Sequence, residues 1–443
     1  MNRNAPYALR LLSMVWRRRG ARHAGEQLRR LRRRVAMGVG AVLLGLVALL
    51  FAGVSDRAQG LFGTLVSRLP YAPLVLTPAL FALVVWVTRR TAPYARGSGI
   101  PQVIAASRAP DTPPSNALVS LWTASVKLVL TVIMLLGGAS VGREGPTVQI
   151  SAAIMVKVHR YFRVPITSGV LIAGGAAGVA AAFNTPLAGV AFAIEELAAA
   201  YEQKVAVLVM GAVMIAGLVS LGIAGDYVYF GALHTTLGVA GVLTITPVAG
   251  VLGGMAGGLF SRVVLGFAGA SWRPIAAARA HPLLLALGCG LVVAVLGVVT
   301  RGATWGTGYG ATRALVEGQG QSLWFGPAKF IAALATTLSG APGGIFAPSL
   351  AVGAGLGNLM TGLFGDQPAG AVVLLGMTAY FVGVVRAPLT AVIIVMEATA
   401  ARGMILPLFA TALIADAAST LVCRERLYHG LAKPFVALVE GKA

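Results

Sequence analysis

Two glycine-flanked breaks, Gly142-Arg143-Glu144-Gly145-Pro146 and Gly344-Ile345-Phe346-Ala347-Pro348, each interrupt a long apolar stretch and open a helix-like segment. Laid on one another at a shift of 202 residues, they bring Pro146 onto Pro348, Pro186 onto Pro388 and Glu195 onto Glu397. Landmarks in one register make an internal repeat. The stretches Asn184 to Glu195 and Arg386 to Glu397 follow their breaks at the same distance in each half. Duplicated membrane proteins with interrupted helices place their sites where the halves meet, near mid-membrane, on backbone freed by the breaks. The site is expected there.

The solvent of most of this chain is lipid. Of its 443 residues 57% are hydrophobic and only 11% charged, and several runs reach the ~20 apolar residues that a spanning helix needs. Val35 to Val54, Leu69 to Val87, Ala117 to Leu136 and Val205 to Ala224 are such runs, whereas others are too short to cross alone. No β-barrel alternation appears, so an all-α integral membrane protein is expected. Its 57 glycines suit close helix packing. Three regions are predicted: a basic segment 1–34, a first membrane repeat 35–240, and a second repeat 241–443 ending in a short helix.

The net charge of +21 would point to nucleic acid in a soluble protein. Here the cations flank apolar runs, and eleven arginines precede residue 35. They fit a membrane surface, not nucleic acid, and place the N-terminus in the cytoplasm by the excess of Lys and Arg on that side. With no organelle-targeting signal in view, the cell membrane is the expected location, crossed many times. Cys289 and Cys423 lie in or beside apolar segments and the five histidines lack ligand spacing. Neither a disulfide, a metal nor a cofactor is expected.

Alternating the runs from a cytoplasmic start puts Asp56 and Arg57 outside. The loop with Arg89, Arg90, Arg96 and Arg108 falls inside, so Ser98 faces the inner end of any pathway. Glu144 then lies outward, and Glu195 and Glu196 lie inward near Lys204. The sequence leaves open whether the second copy has the same or the opposite orientation.

A helix N-terminus offers unpaired N–H groups and about half a positive charge, so it holds an anion without a full countercharge. Weak multiple sites of this kind allow conduction, where a buried cation would hold the anion too tightly. Two such starts exist, with Ser98 and Tyr428 as further hydroxyl donors. Glu144 stands at the first start, where its carboxylate either steadies its own helix or imitates the anion, occupying the site when charged and leaving when protonated. Its equivalent is Phe346, so the fold itself makes no demand for an acid, and the second role is favoured. Glu195 has the equivalent Glu397 and is expected to bond backbone freed near the break. Glu196 pairs with Ala398 and is the better candidate for an ion or proton route. Lys127 and Asp416, each inside an apolar run, are expected to pair with carboxylates or carbonyls. An intramembrane enzyme using Glu144 and Glu196 as acid and base is disfavoured, because they lie toward opposite faces.

Taken together, Gly97-Ser-Gly-Ile-Pro101, Gly142-Arg-Glu-Gly-Pro146 and Gly344-Ile-Phe-Ala-Pro348, with Phe183-Asn-Thr-Pro-Leu-Ala-Gly189 and Arg386-Ala-Pro-Leu-Thr390, resemble the CLC family of chloride channels and proton-coupled chloride antiporters. The match runs from about residue 35 to the end. It implies a homodimer with a separate pore in each subunit, built of two repeats of opposite orientation from spanning and broken half-spanning helices. It implies a central chloride site of the Ser98 and Tyr428 hydroxyls and the amides of Ile345 and Phe346, and an outer site of amides from Arg143, Glu144 and Gly145. Glu144 resembles the gating glutamate and Glu196 the inner proton-transfer glutamate of the antiporters, with a passive channel as the alternative. Tyr428 rests only on Leu427-Tyr428 before a final helix. Serine at Ser98 resembles the chloride-preferring members. Paired C-terminal regulatory domains, and nucleotide control through them, are not expected.

Overall fold

The computed structural model describes residues 5–197, 203–225, 228–233, 235–269 and 272–441, with side chains from residue 26 onward except at 203 and 204. The first half runs through α1 (Ala5–Arg68), α2 (Pro73–Thr91), α3 (Ile100–Arg108), α4 (Pro113–Leu118), α5 (Leu121–Leu136), α6 (Glu144–Tyr161), α7 (Ser168–Phe183), α8 (Pro186–Phe192) and α9 (Gln203–Ala224). The second runs through α10 (Val239–Gly269), α11 (Arg273–Ala280), α12 (Pro282–Val299), α13 (Tyr309–Val316), α14 (Phe325–Leu338), α15 (Phe346–Thr361), α16 (Ala369–Val385), α17 (Pro388–Thr399), α18 (Ile405–Val422) and α19 (Leu427–Val439). Among the described residues, seven helical stretches are long and apolar enough to span a membrane.

Two boundaries differ from the expectation. The basic stretch and the first apolar run form one helix, α1, because arginine is nearly as good a helix former as leucine and a change of solvent alone does not end a helix. The run Ala117 to Leu136 is broken at Val119-Ser120, where the extended Ser120 accepts the Thr123 N–H at 3.1 Å and starts α5 afresh.

The repeat is inverted. α6 and α15, equivalent at the 202-residue shift, meet start to start, and Gly142 and Gly344 exchange both backbone bonds at 2.7 and 2.8 Å as an isolated antiparallel bridge. A reciprocal exchange between equivalent residues is what a two-fold axis produces. The same symmetry governs the acids. Glu195 accepts from Leu389 N at 2.9 Å and Thr390 N at 2.6 Å, at the start of α17 in the other half. Glu397 accepts in turn from Leu187 N at 3.4 Å and Ala188 N at 3.1 Å, at the start of α8. Each glutamate thus caps the partner repeat's broken helix, the job expected of them, performed across the axis. In an environment with little water, stripping a carboxylate from two N–H groups costs about 2–4 kcal/mol. Glu397→Ala is expected to lower thermal stability in detergent by that amount, and an unchanged unfolding midpoint would refute the cap.

The centre of the bundle is made of short helices that are apolar all round. Every residue of α7 from Gly169 to Phe183 and of α16 from Gly370 to Val385 is buried, as expected for helices enclosed by others. Glycine permits this density. A Cβ on Gly257 of α10 would lie 2.6 Å from Gly383 Cα of α16, so the two backbones touch where they cross.

Candidate functional site

Three loops converge between the halves. Gly97 O accepts from Gly343 N at 3.2 Å and from Lys127 Nζ at 2.9 Å, tying the Ser98 turn to the loop that precedes α15. Ser98 sits between Gly97 (φ 64°) and Gly99 (φ 104°), two left-handed positions suited to glycine. Its Oγ accepts the Ile100 N–H at 3.3 Å, which leaves its own O–H free to donate. Gly145 lets the segments approach closely, since a Cβ there would stand a tight 3.1 Å from Ser98 Cβ and 3.2 Å from Gly344 Cα. The Ser98 turn and the starts of α6 and α15 therefore meet in one place, as the breaks predict.

Tyr428, from the first turn of α19, reaches the same place. It is fully buried, its ring 6.0 Å from that of Phe346, and its hydroxyl is turned toward Ser98 with Glu144 and Glu196 nearby. No hydrogen bond of good geometry satisfies that hydroxyl among the described residues. The residue with the thinnest support in the sequence is thus brought to the site.

Glu144 does not merely steady its own helix. Its buried carboxylate crosses the axis, accepting the Ala347 N–H of α15 at 3.4 Å and the Tyr309 hydroxyl of α13. A carboxylate oxygen thereby stands where an anion on the α15 N-terminus would stand. The equivalent Phe346 turns instead into an aromatic cluster, stacked on Phe183 at 6.1 Å and edge-on to Phe192 and Phe381 at 5.9 and 5.0 Å. Arg143 faces away, bonding Ala52 O and Asp56 Oδ1 at 2.7 Å and the Tyr229 hydroxyl at 2.8 Å, with its guanidinium over the rings of Tyr229 and Tyr309. Its cation serves the wall of the site, leaving backbone amides to face an anion.

Glu196 is buried and lies on a single π turn, Ala193–Leu197, at the end of α8. The turn sends Glu195 toward α17 and Glu196 toward α19, whose His429 Nδ1 comes within 3.3 Å of Glu196 Oε1. The Lys204 side chain, expected near Glu196, lies outside the described residues. Lys127 bonds a carbonyl, as expected, whereas Asp416 takes neither a carboxylate nor a carbonyl but the Arg386 guanidinium at 2.7 Å, since an ionised acid inside the bundle needs a donor.

Tyr309, Lys329 and His429 were not singled out in the sequence. A signal for two of them existed. Lys329 is Lys127 at the 202 shift, and its Nζ donates to Thr304 O at 2.9 Å and Gly306 O at 2.7 Å. Gly306-Thr-Gly-Tyr309 repeats Gly97-Ser-Gly-Ile100, with Gly306 (φ 65°) and Gly308 (φ 87°) again left-handed. The copy is displaced by 209 residues, and that change of register hides it.

An inverted duplication with paired helix starts at its centre defines a class of integral membrane protein that moves ions. Residues 80–420 match the family model described as voltage gated chloride channel. The chain belongs to that family, the CLC proteins. Among solved structures it is similar to a slow cyanobacterial Cl−/H+ antiporter, with 23% identity and a TM-score of 0.79 over 92% of this chain and 98% of that one. It is also similar to a eukaryotic CLC transporter, with 23% identity and a TM-score of 0.72 over 93% of this chain and 75% of that one. A CLC-type fluoride/proton antiporter has 21% identity and a TM-score of 0.74 over 88% and 95%. At these identities the likeness establishes the fold.

Proposed function

We propose that the protein is a proton-coupled chloride antiporter of the cell membrane, working as a homodimer with a pathway in each subunit and its basic N-terminus in the cytoplasm. Chloride passes a central site of the Ser98 and Tyr428 hydroxyls with the Ile345 and Phe346 amides, and an outer site of the amides from Arg143 to Gly145. Glu144 is the gate and Glu196 the inner proton-transfer group.

The observation that carries this reading is the position of Glu144. Its carboxylate lies on the Ala347 N–H at 3.4 Å, at the start of a helix in the opposite half. A helix start favours negative charge whether it comes from a side chain or a free ion. Ionised Glu144 and an anion therefore compete for one place, and a protonated Glu144 yields it. Such competition links the two species, because each movement alters the population that the other needs. Tyr428, which has both Glu144 and Glu196 in its electrostatic neighbourhood, supports a route joining them. Chloride and protons are cargo, and no chemical step or cofactor is required.

The test uses purified protein in liposomes with a chloride gradient and no pH gradient. Chloride running down its gradient is expected to drive protons the opposite way. Chloride movement with no proton signal would make the protein a passive channel of the same fold and would overturn the exchange reading.

A further inference from the structure

The antiport reading leaves a gap: Glu196 is fully buried, with its side chain 0% exposed, and a buried acid trades protons with solution only through a group that touches both. His429 is such a group. Its side chain is 37% exposed, and its Nδ1 lies 3.3 Å from Glu196 Oε1. It directly follows Tyr428 on α19, and successive residues point about 100° apart around a helix. One turn of α19 therefore sets a hydroxyl into the anion site and an imidazole on the flank between Glu196 and solvent.

The neighbouring charged groups are otherwise engaged. Glu195 is held by the start of α17, Arg426 reaches Glu195 O at 3.5 Å, and Glu425 is paired with Lys433 at 2.6 Å. Neither oxygen of Glu196 has a hydrogen bond of good geometry among the described residues. We propose that His429 is the proton carrier between the solution and Glu196, a proposal that rests on the antiport reading.

The step balances on one imidazole. A proton from water adds at Nε2, the Nδ1 proton passes to Glu196 Oε1, and the neutral ring left with its proton on Nε2 returns to the starting tautomer through water. Histidine suits this because both ring nitrogens exchange protons near neutral pH.

The test measures protons moved per chloride in liposomes for the wild type, His429→Asn, His429→Asp and Glu196→Gln. His429→Asn removes the titrating group and is expected to lower the ratio about tenfold, while His429→Asp, which titrates, returns most of it. A wild-type ratio in His429→Asn, alongside its loss in Glu196→Gln, overturns the carrier and leaves the Glu196 assignment standing. A wild-type ratio in Glu196→Gln as well removes that assignment and the carrier with it. Loss of chloride transport in both His429 variants overturns the carrier in favour of a structural role.

Discussion

Glu144→Gln is expected to leave chloride crossing the membrane while the coupled proton flux falls by at least about a hundredfold. Glutamine keeps the volume of the side chain and resembles its protonated form, but it carries no charge with which to hold the start of α15 against chloride. The Ala347 N–H that the carboxylate now occupies at 3.4 Å passes to the permeating ion, and no proton acceptor remains at the outer end of the route. The same liposome assay reads both fluxes. Proton movement at the normal ratio would remove Glu144 from the mechanism and with it the competition on which the exchange rests. The surrounding wall should survive the change, since Arg143 is held by Ala52, Asp56 and Tyr229 and not by Glu144.

The duplicated fold and the two helix starts were legible because glycine, proline and glutamate recur at one register, and because a break in an apolar run has few uses besides exposing backbone. The inversion was not written in those residues. Reciprocal contacts such as Glu195 with Leu389 and Glu397 with Leu187 join positions 194 and 210 apart, and sequence periodicity carries no sign of them. The same holds for Tyr309 on Glu144 and for His429 beside Glu196. Each comes from a different element, and only the packed bundle sets the partners side by side. Glu195 and Glu196 show where the comparison of halves works best. The residue with an equivalent acid proved to be a cap, and the one without stands apart from that symmetry.

Lys127→Met is expected to leave the protein as stable in detergent as the wild type or more so, yet to slow chloride transport about tenfold. The argument sets two terms against each other. Burying an ammonium costs several kcal/mol after relaxation, while a hydrogen bond from a charged donor contributes about 1.5–3 kcal/mol. Lys127 is fully buried and makes one such bond, to Gly97 O at 2.9 Å. Methionine fills nearly the same volume without the desolvation cost, so stability has little to lose. Function has more, because the carbonyl that Lys127 holds belongs to the left-handed turn presenting Ser98, and a donor displaced by ~1 Å loses much of its effect on a passing ion. Lys329→Met offers the internal control. It gives up two bonds instead of one, to Thr304 O and Gly306 O, so its stability should fall below that of Lys127→Met, and it loosens the turn that aims Tyr309 at Glu144. A Lys127→Met protein with wild-type chloride flux would show that the other bonds of the Ser98 turn, such as those from Gly343 N and from Gln102 to Arg96 O, suffice to hold it, and that the buried lysine has no part in shaping the anion site.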